Sequence, residues 1–130
     1  MQVKKLLSPA IKTNKMIRLT EEENGSATIA IGISNSLLLF STDKIVRLQA
    51  SSSYTKIFLD NTSSIITSIV LKEYEKLLSG HGFIRTHRSH LVNKKRISII
   101  NRDKIVMDDA SKATVSKRKR SLLLKELNLH

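Results

Sequence analysis

The sequence predicts a mainly β domain with one short internal helix and a second helix at its carboxyl end. Short runs of alternating, strand-forming residues recur along the chain, separated by turn-forming clusters such as Ser34-Asn35-Ser36 and Asp60-Asn61-Thr62. One internal segment breaks that rhythm, because Leu71, Tyr74, Leu77 and Leu78 fall at helical spacing. A length of 130 residues suits one domain with its own core, and the absence of cysteine excludes disulfides and thiolate metal sites.

Residues 1–27 read as an amino-terminal extension, since Pro9 interrupts a helix-compatible stretch and Glu21-Glu22-Glu23-Asn24-Gly25-Ser26 is a polar break. Within it, Met16-Ile17-Arg18-Leu19 suits a short strand or an apolar patch against the domain. Residues 28–130 form the domain. Strands are expected at 28–33, 37–41, 44–50, 54–60 and 63–69, then the helix at 71–78, with Gly80 as its stop and its apolar stripe facing the core. Strand patterning resumes at 83–87, 90–92, 97–101, 104–108 and 112–115. Ser116 then caps a terminal helix whose modest apolar face is Leu123, Leu124 and Leu127. Lys4-Lys5 is followed by only Leu6-Leu7, too short for a secretion signal, and no apolar run approaches the ~20 residues of a membrane span. A cytoplasmic protein with no membrane partner is expected.

Charge points to a partner. Lys and Arg number 23 against 11 Asp and Glu, a formal net charge of +12. The excess is concentrated in residues 81–130, which hold 13 of those cations and 4 of the acids, leaving +9 there. A one-sided cationic field of this kind is the footprint of a protein that neutralises phosphates, whereas an even spread would serve solubility alone.

Catalytic chemistry finds no support. His81, His87 and His90 fall within ten residues, but strand parity points His81 and His87 one way and His90 the other, with no carboxylate nearby. No nucleophile elbow surrounds Ser89 or Ser116, and no glycine-rich loop could cradle a nucleotide. The chain is not expected to be an enzyme or to hold a cofactor, metal or catalytic residue.

Binding chemistry does better. In Phe83-Ile84-Arg85-Thr86-His87-Arg88-Ser89-His90, parity places Phe83, Arg85, His87 and Ser89 on one face and Ile84, Thr86, Arg88 and His90 on the other. Phe83 and His87 then share the inner side, with Phe83 against Tyr74 and Leu78. His87 is either an imidazole bonded to backbone or a phosphate contact. Arg88 stands where the chain leaves a strand, and its fork can take a guanine edge or a phosphate, or remain a solvated surface arginine. Lys117-Arg118-Lys119-Arg120 opens a helix, where the macrodipole disfavours cations unless an anion is bound; the run is a phosphate clamp or a solvated charged face.

Taken together, Ile45-Val46-Arg47-Leu48-Gln49-Ala50, Ser53-Tyr54-Thr55-Lys56-Ile57-Phe58-Leu59, the 71–78 helix, Phe83 through Leu91-Val92-Asn93, and Val115-Ser116-Lys117-Arg118 resemble the LytTR-type DNA-binding domain, from about Thr28 to Leu127. The resemblance implies an elongated stack of small antiparallel sheets and a role in bacterial transcription control. It implies DNA reading through loops set in successive major grooves, with flanking minor-groove and phosphate contacts. Carried over by position, the candidate DNA-binding residues are Ser52, Ser53 and Tyr54 at one loop, Arg88 at a second, Asn93 and Lys94 after the Leu-Val-Asn motif, and Lys117, Arg118, Lys119 and Arg120 at a third. For Asn93 a structural turn role stands beside DNA contact. Many relatives carry Asn where this chain has Ser53, which alters one base contact. Many also place the domain behind a phosphoacceptor receiver, which 27 preceding residues are too few to encode. The partner implied is double-stranded DNA with direct-repeat half-sites, bound by a homodimer. The competing reading is a protein-interaction module using the same β surface. RNA is disfavoured because the few aromatics, Phe40, Tyr54, Phe58, Tyr74 and Phe83, fall mostly on core faces.

Overall fold

The computed structural model describes residues 16–129, and the chain divides into two compact units, Met1–Ile45 and Val46–His130. In the first, β1 (Ile17–Glu21), β2 (Ala27–Ile33) and β3 (Ser36–Ser41) form an antiparallel meander in the order β1-β2-β3. Met16 and Leu19 are buried, so the residues before Thr28 join this sheet through their apolar side chains, with Ile17 opposite Ile31 and Leu19 opposite Ile29. The polar break is the turn of that hairpin: Glu22 N–H donates to the Ser26 carbonyl at 2.9 Å, and Gly25 adopts φ 87, a left-handed angle that glycine reaches without steric cost. Pro9 and the rest of the stretch before Met16 lie outside the described residues.

The second unit is built on a five-stranded sheet in the order β6-β5-β4-β8-β7, made of β4 (Ile45–Ser51), β5 (Tyr54–Leu59), β6 (Ser64–Thr67), β7 (Phe83–His87) and β8 (His90–Asn93). Helix α1 (Leu71–Leu78) covers one face, burying Leu71, Tyr74 and Leu78 as the spacing predicts. Burial pushes the Tyr74 phenol up to about 12, and its hydroxyl pairs with Thr67 Oγ1 at 2.8 Å. The helix runs on into a 3-10 turn at Ser79–His81, and the left-handed residue that ends it is Gly82, φ 91, not Gly80. The strand expected at 63–69 is shorter, because Ile69 turns aside and its carbonyl accepts from buried Thr55 Oγ1 at 2.6 Å.

The other face packs on a second sheet, β11-β10-β9, formed by β9 (Ile97–Ile100), β10 (Lys104–Met107) and β11 (Lys112–Thr114), and on α2 (Lys117–Glu126). Val46, Ile84, Val92, Ile105, Met107, Ala113, Val115 and Leu123 make one buried cluster here, with Leu127 against it. The parity expected on β7 holds from Phe83 to Thr86, but neither face is left open. Both of its faces are covered: Phe83 and Arg85 lie on the α1 side, where Arg85 pairs with Glu75, while Ile84 joins the cluster and Thr86 Oγ1 donates to the Thr114 carbonyl at 2.9 Å. A register shift between Arg85 and His87 then interrupts the alternation, so parity cannot be carried through to His87 and beyond.

Candidate nucleic-acid interface

Strand pairing decides which of the polar segments meet. Gln49 of β4 lies opposite His90 of β8, and Ala50 N–H donates to the Ser89 carbonyl at 2.9 Å. The two-residue turns Ser52–Ser53 and Arg88–Ser89 therefore leave the same end of the sheet, two strand spacings or about 10 Å apart. Ser52, Ser53, Tyr54 and Arg88 are all exposed, and Ser52 sits in the left-handed region at φ 56. The amino end of α2 joins this rim because Ser116 N–H donates to the Thr86 carbonyl at 3.0 Å, close to where β7 ends. Ser116 caps the helix as expected, its Oγ accepting from Lys119 N–H at 3.2 Å.

The first turn of α2 carries cations and no acid. Lys117 and Arg118 are exposed, and Lys119 and Arg120 are half-buried. Arg120 Nε donates to the Asn101 carbonyl at 2.9 Å, which brings the β9–β10 turn to the same rim. Arg102, Asp103, Val115, Lys117, Arg120 and Ser121 line a hollow of about 530 Å³ there. Sequence reasoning missed Arg102 and Lys104, which stand apart from the basic runs. The signal was hairpin register: pairing Lys104 with Thr114 sets the residues just before Lys104 beside those just after Thr114.

Behind the Arg88 turn, His87 Nδ1 accepts from Ser89 N–H at 3.1 Å, so this half-buried imidazole is bonded to backbone. Its ring lies 5.8 Å from that of His90. Burial, with Arg47, His87 and Lys104 adding positive charge, lowers His90 to about 4, which keeps it neutral at physiological pH. Arg47 is buried with its guanidinium 3.8 Å from the Phe58 ring centroid, donating to Ser111 Oγ at 2.9 Å and Gln49 Oε1 at 2.8 Å. It ties the two sheets together beneath the rim.

Asn93 and Lys94 do not belong to this cluster. β8 runs away from the rim, so Lys94 lies about 13 Å along it, at the opposite end of the sheet. Asn93 is buried, and its Oδ1 accepts from Lys95 N–H at 3.1 Å to cap the 3-10 turn Lys94–Arg96. Lys94 Nζ is paired with Glu126 Oε1 at 2.6 Å near the far end of α2. On the rim side of β5, exposed Tyr54 and Ile66 form an apolar hollow of about 390 Å³ with Gln49, Ser51 and Lys56.

A family model described as LytTr DNA-binding domain matches residues 35–128, which takes in every element from β3 to α2. Among solved structures the chain is similar to the "LytTr DNA-binding domain of putative methyl-accepting/DNA response regulator from Bacillus cereus", with 26% identity and a TM-score of 0.65, covering 77% of this chain and 95% of that one. No curated protein matches the chain significantly.

Proposed function

The chain belongs to the LytTr DNA-binding domain family, and from that premise we propose that it is a transcription regulator which reads a specific duplex sequence through the rim of its five-stranded sheet. DNA binding and a part in transcription regulation follow from the family; sequence specificity, the grooves used and the residues below are our reading. Arg88 reads a base edge in one major groove, and the Ser52–Ser53 turn with Tyr54 enters beside it. A span of about 10 Å between the turns is compatible with a groove ~12 Å wide. Lys117, Arg118, Lys119 and Arg120, with the backbone N–H groups of the first turn of α2, take backbone phosphates, Arg118 reaching furthest toward the bases. Arg102 and Lys104 extend the same positive field. Two protomers sit on direct repeats one helical turn apart, and the protein acts in the cytoplasm, where bacterial DNA is.

The observation that carries this reading is the convergence of three separate donor-bearing segments on one end of the sheet, joined by the Ala50–Ser89 and Ser116–Thr86 hydrogen bonds. The exposed Tyr54 and Ile66 pair favours a second reading, a protein-interaction surface. Selection of bound fragments from random duplex DNA, followed by salt titration, separates the two. An enriched motif and a loss of about 10³ or more in affinity between 50 and 200 mM salt support DNA reading. No enriched motif and a salt-insensitive partner would replace it with the interaction module.

A further inference from the structure

The Arg88 turn is held from behind by a charged side chain that the DNA reading does not use. Arg85 lies three residues earlier on β7, half-buried, and its guanidinium makes three directed contacts. Nε donates to the His87 carbonyl at 3.0 Å, Nη2 to the Arg88 carbonyl at 2.5 Å, and Nη1 to Glu75 Oε1 on α1 at 2.6 Å. These contacts fall where the register shift interrupts the β7–β8 ladder, so the guanidinium takes up two carbonyls at the irregularity. The planar fork holds its donors in fixed, separated directions, so it serves two carbonyls and a carboxylate at three distinct points, whereas the three donors of a lysine ammonium all leave one atom. Because Glu75 neutralises it, Arg85 adds shape to the rim, and little field.

We propose that Arg85, anchored by Glu75, is the positioning residue for Arg88: it fixes the peptide planes of the turn so that Arg88 meets its base edge in one orientation. The inference rests on the DNA reading above. A bidentate contact to a base is lost when its donor swings, whereas general attraction to phosphate is not, so loosening the turn costs discrimination first.

Arg85→Lys tests this, because it keeps the charge and the reach toward Glu75 but removes the fork; Glu75→Gln, which keeps an acceptor for the guanidinium, is the milder companion. Thermal melting of both variants checks the fold. In the unbound protein, amide exchange at Arg88, Ser89 and His90 should quicken about tenfold in Arg85→Lys, with Ser52 to Tyr54 unchanged. The ratio of cognate to scrambled binding should fall about five- to tenfold at an unchanged salt slope, and Arg85→Lys should cost nothing further in an Arg88→Ala background. Unchanged exchange at 88–90, or equal weakening on both duplexes, would overturn the positioning role. So would a loss that adds to that of Arg88→Ala. If Arg88→Ala alone leaves the ratio intact, base reading by Arg88 fails and this role falls with it; quickened exchange at 88–90 would then show that Arg85 shapes the turn without serving recognition.

Discussion

The two ends of the five-stranded sheet both carry cations and differ in how those cations are paired. At the far end Lys94 is paired with Glu126 at 2.6 Å, and Arg96 lies 3.0 Å from Asp60 and 3.2 Å from Asp108. At the rim, Lys104 and Arg120 donate to neutral oxygens of Thr114 and Asn101, and α2 begins without an acid. Ion pairs of half-exposed groups contribute little to stability, but they cancel the field that would attract a polyanion. The rim has an acid of its own, Asp103 in the hollow beside Arg102, Lys117 and Arg120, but among the described residues no salt bridge joins it to them, and that pairing is what separates the two ends. Density of basic residues along the chain does not reveal which of them end in ion pairs; the partners that folding delivers decide it.

Both ends hang on one core, and the largest effect should come from breaking it. Phe83→Ala should cost about 3–5 kcal/mol, because the ring is buried on the α1 side, and DNA binding should fail through unfolding. Urea denaturation measures this; a variant of unchanged stability would contradict the burial. Next is the rim alone. Arg88→Ala should weaken binding to the selected site by about 1–3 kcal/mol with far less effect on scrambled duplex and none on the melting temperature. Equal losses on both duplexes would make Arg88 a phosphate contact.

The comparison between the ends is sharpened by charge removal at each. Replacing Lys119 and Arg120 by Gln should reduce the slope of log affinity against log salt by about one to two units, whatever the DNA sequence. Lys94→Gln should leave that slope alone, since its charge is spent on Glu126. Paired salt titrations decide; a slope change at Lys94 as large as that at the rim would erase the distinction. The last effect is absent at neutral pH and appears only on acidification. His90 is lowered to about 4 from a usual 6.5, so its folded form binds a proton less readily than its unfolded form. Its contribution to stability is complete above about pH 6.5 and is lost as pH falls toward 4. Protection of the amides at residues 88–91, taken relative to their intrinsic exchange rate at each pH, should fall over that window before that of the far end, and His90→Gln should flatten the trend.

Much of the fold was legible because strand period, turn chemistry and helix spacing are local. α1 spans Leu71–Leu78, β7 spans Phe83–His87, and α2 begins at Lys117 behind its Ser116 cap, each where the pattern puts it. Errors arose where a distant group intervened. Ile69 leaves β6 with its carbonyl on Thr55, a second sheet covers the face of β7 that a lone hairpin would leave open, and the register shift after Arg85 ends the alternation.

The sequence by itself determined a mainly β domain, a positive excess in its last third, and the Ser52–Tyr54, Arg88 and Lys117–Arg120 segments as donors worth comparing, because these are properties of neighbours along a chain. Tertiary structure alone decided which donors share an end of the sheet. Antiparallel pairing of β4 with β8 brings turns 36 residues apart in sequence to within about two strand spacings, and the same pairing carries Lys94, six residues after Arg88, to the opposite end. It also decided that the Arg85 guanidinium meets Glu75 on α1, whereas the cap that Asn93 makes on Lys95 N–H is local to its own turn. Coulomb attraction and hydrogen bonds depend on distance in space, and sequence separation sets that distance only within a single element.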